Sequence, residues 1–149
     1  MIQNDRNIYK TARVAAGLTQ ERASELIGCT SVRSIAAYEC GERIPAEDIV
    51  VAMADVYGVN YLPYQHMRNN LELARSILPD ICPQNIPLAI LRLQKEVNDF
   101  LLVRDEVIDI TCDGIIDESE RERWDNIQKE LDDICRAIIA LKFAKEVQQ

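Results

Sequence analysis

The first sixty residues alternate short apolar stripes with single stop signals. Ile8, Ala12 and Ala15 or Ala16 share one helical face before Gly17. Leu18 and Ala23 flank Thr19, which has the chemistry of an N-cap, and a second helix is expected from Gln20 to Ile27 with Gly28 ending it. Thr30 or Ser31 is placed to cap a third helix. Val32, Ile35 and Tyr38 or Glu39 mark its inner side, and Ser31, Arg33, Ser34 and Ala37 its outer side. Gly41 ends it. Pro45 is expected in the first turn of a fourth helix, with Glu47 and Asp48 at the positive end of the dipole and Ile49, Val50, Met53 and Tyr57 as its stripe. Gly58 closes it, and a fifth helix is expected from near Asn60 past His66.

The pattern changes after residue 68. "ILPDICPQNIP", residues 77–87, holds three prolines and reads as a connector. Two long helical patterns follow, at about 86–110 and about 118–147. In the first, Ile90, Leu93, Val97, Phe100 or Leu101, Arg104, and Val107 or Ile108 step by three and four. In the second, Trp124, Ile127, Leu131, Ile134, Ile138 and Leu141 make a heptad seam. A helix with such a seam does not bury it alone. The short link predicts an antiparallel hairpin, and the seam residues are the expected dimerisation contacts. Two domains are expected, 1–68 and 69–149, both helical.

Charge separates the halves. The chain carries 17 Lys/Arg and 25 Asp/Glu over 149 residues, a net charge of −8. Residues 1–68 hold seven basic and eight acidic side chains, a net −1, and residues 69–149 hold ten and seventeen, a net −7. The acidity thus belongs to the second half. Lys10, Arg13, Arg22, Arg33 and Arg43 remain able to form a basic face in the first, and distant charge is screened beyond about 8 Å at physiological salt.

Other features narrow the function. No apolar run is long enough for a transmembrane helix, and "MIQNDRNIYK" lacks a signal core, so a cytoplasmic protein is expected. The five cysteines are widely spaced without a C-x-x-C and are expected to be buried free thiols. His66 is the single histidine, no phosphate-binding glycine motif occurs, and neither catalysis nor a cofactor is expected.

The stretches "GLTQERASELIGCT", "IAAYECGERIP" and "VVAMADVYGVNYL" resemble, in order, the Cro/C1-type (XRE-like) helix-turn-helix regulators. "AMADVYGV" and the second half are similar to small regulators of phages and mobile elements of Gram-positive bacteria. The resemblance covers about 55 residues and implies an all-α chain: a five-helix helix-turn-helix domain followed by a long antiparallel helical hairpin. It implies double-stranded DNA as partner, a homodimer, and no membrane. By position, Gln20 would bond a phosphate and brace the next helix. Ser31, Arg33, Ser34 and Ala37 would face the major groove, with Arg33 suited to a guanine edge. Arg43 and Arg13 would touch the backbone, and Glu39 would satisfy backbone donors or pair with an arginine inside the domain. The chain departs from the family by one extra residue between Gly28 and Ser34, which turns the start of the recognition helix by about 100°.

Two further readings stand beside this. "DITCDGIIDESE", residues 109–120, has Asp109, Asp113, Gly114 and Glu120 at calcium-loop spacing, but Thr111 replaces a ligand. Gly114 as a helix stop with Asp117 and Glu120 as a capping box explains nearly as much, and no metal is expected. Functionally, a repressor acting as a homodimer on a palindromic operator is expected. The alternative is an interaction module whose acidic hairpin binds another regulatory protein.

Overall fold

In the computed structural model, residues 7–146 are described. They form eight helices: α1 Ile8–Ala15, α2 Gln20–Ile27, α3 Val32–Glu39, α4 Glu47–Tyr57, α5 Leu62–Asn70, α6 Glu72–Ile77, α7 Ile86–Thr111 and α8 Arg121–Lys142. No strand occurs among the described residues, only an isolated bridge between Asn85 and Lys145. The chain divides into two compact units, the first ending at Leu78 and the second starting at Pro79. Residues 69–78 thus sit with the first unit, because α6 packs against α5.

Local chemistry sets the helix ends of the first unit. The Asn7 side chain caps α1 by accepting from the backbone N–H of Tyr9 and Lys10. Thr19 caps α2 through Arg22 N–H, and Ser31 caps α3 through Ser34 N–H. Gly28 takes a left-handed conformation, φ +75°, and gives its N–H to Ser24. Between them, Gly28 to Ser31 make the tight turn, and the Ser24 hydroxyl donates to the Thr30 carbonyl across it. Pro45 is buried but lies before α4, whose N-cap is Ala46, so it is not a first-turn residue. The fifth helix breaks at Leu71, whose extended backbone separates α5 from α6.

The core of this unit is small and helical. Ala23, Ile35, Met53 and Leu62 have no exposed surface, and Val50, Tyr9, Ala12, Tyr38, Ala54 and Tyr57 complete it. The minimal side chain of Ala23 lets the neighbouring helices approach. A Leu62→Ala truncation here would cost about 2–5 kcal/mol. Val32 departs from expectation: it is exposed, because α3 turns Ile35, Tyr38 and Glu39 inward from a helix only eight residues long.

The second unit is an antiparallel pair. Ile110 and Ile127 are buried at the closed end, with Ala89 and Ala137 nearer the open end. That open end is tied by Ile86 N–H to the Lys145 carbonyl and Lys145 N–H to the Gln84 carbonyl, each 3.0 Å. Helix α8 runs from Arg121 to Lys142, shorter at both ends than its sequence pattern. In the turn before it, Asp117 Oδ1 accepts from Ser119 and Glu120 N–H, and Glu120 Oε2 accepts from Asp117 N–H; the N-cap of α8 is Glu120 without a side-chain cap, so Asp117 closes this turn and does not cap the helix as expected. Asp113 accepts from Ile115 N–H, and Gly114 takes φ +76°. No described helix is long and apolar enough to cross a membrane. All five cysteines are exposed, which corrects the expectation of buried thiols; their positions lie on outer helix faces and in loops.

Candidate nucleic-acid interface

The outward surface of α3 is built on a charged lock beneath it. The Arg13 guanidinium clasps the Glu39 carboxylate at two points, Nε on Oε1 and Nη2 on Oε2 at 2.9 Å. Both side chains are at least nine-tenths buried. Arg13 Nη1 also donates to the Leu18 carbonyl, and Gln20 Nε2 donates to Glu39 Oε2 at 2.8 Å. One carboxylate on α3 thereby collects donors from α1 and from the first residue of α2. Burial works against the charged form of Glu39, yet the hydrogen bonds from Arg13 and Gln20 win and hold its carboxyl below the usual range. Its bond to Glu39 raises the Arg13 pKa in turn.

This geometry engages three of the expected functional residues within the domain. Arg13 is spent inside the domain, so it is not a free phosphate contact. It lies on the inner face of α1, and its Nε, Nη1 and Nη2 each donate to a group of the domain. Gln20 braces α3, as the resemblance implied, and its amide keeps a second N–H for another acceptor. Glu39 pairs with an arginine within the domain.

Arg33 is different. It is exposed, and no hydrogen bond or ion pair holds it among the described residues. It projects from the first turn of α3. Ser31 and Ser34 flank it with hydroxyls 3.0 Å apart, already engaged in capping. Ala37 is half-buried further along the helix. Arg43 follows α3, exposed, with its guanidinium carbon 6.0 Å from the centre of the Tyr38 ring. Arg22, by contrast, is paired with Glu25 at 2.8 Å. The surface therefore offers two guanidinium groups without a carboxylate partner, Arg33 and Arg43, along one short helix and the loop after it.

Sequence reasoning missed two further constellations. On the first unit, the Tyr9 hydroxyl lies 2.8 Å from His66 Nδ1, and Asn70 Nδ2 donates to the Tyr9 oxygen at 3.3 Å. Burial lowers the His66 pKa, with Glu47 opposing from a distance. A lone histidine in an uncertain fifth helix gave no signal for this. On the hairpin, Glu96, Asp99 and Glu130 bring carboxylate oxygens within 4.8 Å of one another. Lys95 Nζ sits 2.7 Å from Asp99 and 3.4 Å from Glu96, supplying positive charge from the chain itself. Nearby, a concavity of about 230 Å³ is lined by Ile81, Cys82, Ala89, Arg92, Arg136 and Ala137. Its arginines face Glu96 at 3.9 Å and Asp133 at 2.6 Å.

The hairpin seam is divided by the fold. Ile127 is wholly buried against α7, so it is not an intermolecular contact. Ile134 and Leu141 are half-buried, as is Trp124, and Leu131 and Ile138 are exposed.

Comparison with known families agrees with the first unit. The helix-turn-helix family model matches residues 10–62. No match is found among curated proteins or among solved structures. The matched span runs from the first turn of α1 to the first residue of α5 and contains the Arg13–Gln20–Glu39 lock, the capped turn and α3. Residues 10–62, about a third of the chain, are thus similar to the helix-turn-helix of DNA-binding transcription regulators of the XRE/Cro-C1 type.

Proposed function

We propose that the chain is a sequence-specific repressor that binds, as a homodimer, a palindromic operator in double-stranded DNA. Helix α3 would enter the major groove with Arg33 reading a base edge, and Ser31, Ser34 and Ala37 packing beside it. Gln20, through its second amide N–H, and Arg43 would hold phosphates. Two copies would set their recognition helices in successive major grooves, about 34 Å apart. Bound across a promoter, the dimer would block polymerase.

The observation that carries this reading is the contrast between Arg13 and Arg33. The domain buries one arginine in a lock that fixes α3 against α1 and α2, and leaves the other unpaired at the exposed start of that helix. A rigid scaffold holding one free guanidinium suits base reading, where bidentate contacts need orientation.

The test is fluorescence-anisotropy titration of DNA from the region upstream of the gene, at two salt concentrations, with wild type and Arg33→Ala. Tight binding that weakens with salt, and that loses selectivity in Arg33→Ala, supports the proposal. Absence of binding to that fragment and to pooled genomic fragments at low salt overturns it, and favours the hairpin as a module for another regulatory protein.

A further inference from the structure

The hairpin is amphipathic as a two-helix unit. On α7 the line of contact with α8 runs through Ala89, Glu96, Val103 and Ile110, spaced by sevens, each buried or half-buried. On α8 the matching line is Arg123, Glu130 and Ala137. The residue after each of these turns about 100° away from the contact. On α7 that gives Ile90, Val97 and Arg104; on α8 it gives Trp124, Leu131 and Ile138. Both helices are right-handed and they run in opposite directions. The same turn therefore brings both sets to one side of the hairpin. Leu101 and Ile108, one helical turn beyond Val97 and Arg104, extend the α7 stripe; they are 50% and 62% exposed. On α8, Leu131 and Ile138 are 40% and 51% exposed.

The opposite side carries the Lys95–Asp99 and Arg136–Asp133 pairs and Glu106, together with the exposed Leu88 and Leu102. No Asp or Glu falls on the apolar side, although residues 69–149 carry seventeen of them. Its charges are both basic: Arg104, paired with its own neighbour Asp105 at 3.1 Å, and Lys142, one helical turn beyond Ile138.

We propose that a second copy of the chain covers this side, giving a four-helix bundle in which α7 and α8 of each copy contribute. The inference rests on the homodimer reading above and replaces the single seam of α8 by a face two helices wide. Three features select a second copy. Two hairpins with a net excess of acid would repel unless the paired faces were free of it, and this face is. A partner recognised by the acidic excess would engage the other side. A largely apolar face without acid is self-complementary, as a twofold interface requires. Its size also fits: about 27 Å from Ile90 to Ile108 and about 20 Å across two helices, on the scale of the roughly 800 Å² per partner of stable interfaces. The spacing by sevens on both helices suits knobs-into-holes packing.

Sedimentation equilibrium of the full chain tests this, with far-UV circular dichroism to confirm helicity. Wild type is expected at twice the chain mass. Leu131→Glu is expected to raise the dimer dissociation constant about a hundredfold or more with helicity kept. Leu102→Glu, on the far side of α7, is expected to leave it unchanged. If Leu131→Glu loses helicity, the milder Ile138→Gln decides by the same criterion. A wild-type dimer unaffected by the face variants overturns this face while sparing the homodimer reading. A chain that stays monomeric at hundreds of micromolar overturns both, and the DNA titration above still tests the regulator on its own.

Discussion

Arg13 and Glu39 lie 26 residues apart in sequence and face each other across α1 and α3 in a buried two-point ion pair. Because both are desolvated, removing one partner strands the other. Arg13→Met or Glu39→Leu alone is expected to destabilise the protein by about 3–5 kcal/mol. The double variant Arg13→Met/Glu39→Leu is expected to lose far less than the sum of the single losses, since no charge is left unpaired. Urea denaturation of the four proteins in the cycle measures this directly. Additive losses would mean that the pair does not act as a unit.

The Tyr9–His66 contact gives a second expectation, on pH. The Asn70 amide donates to the Tyr9 oxygen, leaving the phenol proton for His66 Nδ1, which must then be unprotonated. The folded-state pKa is lowered, so the unfolded chain binds more protons between that value and the ordinary one near 6.5. The stabilisation is complete above about pH 6.5 and falls as the pH drops towards the folded-state pKa. Urea midpoints measured from pH 8 to pH 5 are expected to decline over that range in wild type. His66→Gln is expected to flatten the decline, and an unchanged slope would assign it to other groups.

How far the sequence carried this depended on the kind of interaction. The bounds of α2 were legible to the residue because Thr19 and Gly28 act locally, through a side-chain cap and a left-handed backbone. The α3 cap was narrowed in the same way to Thr30 or Ser31, and Ser31 takes it. Long-range choices were not legible. A heptad seam shows which residues share a face but not which neighbour takes them, so Ile127 and Leu131 looked alike until α7 claimed one and left the other exposed. Arg13 looked like any surface arginine because its partner is on another helix. The break at Leu71 was missed since no glycine or proline marks it; there the backbone simply turns extended.

Tyr57 supplies a prediction of opposite sign. Its hydroxyl is buried and finds no hydrogen-bond partner, and burial pushes its pKa up to about 12. The ring fills the core beside Met53 and Ala54, so it is the oxygen alone that is costly. Tyr57→Phe keeps the ring and removes the unpaired group. It is expected to be neutral or to stabilise by up to about 1 kcal/mol. A thermal melt lowered by several degrees would show that the hydroxyl has a partner in solution.

Ser31 separates folding from recognition at one position. Its hydroxyl oxygen accepts from Ser34 N–H and so closes the first turn of α3, beside Arg33 on the surface proposed to face DNA. Ser31→Ala removes the cap and is expected to cost about 1 kcal/mol of stability, with a modest loss of DNA affinity from a frayed helix start. Ser31→Asp keeps an N-cap acceptor and adds a negative charge where the helix dipole favours one, so stability is expected to hold or rise. The same charge would face phosphates, and affinity is expected to fall about tenfold or more. Urea denaturation and anisotropy titration of the two variants check both axes. If Ser31→Asp folded as well as wild type and bound DNA equally, the start of α3 would lie away from the backbone, and the recognition surface would have to be sought on another face of the domain.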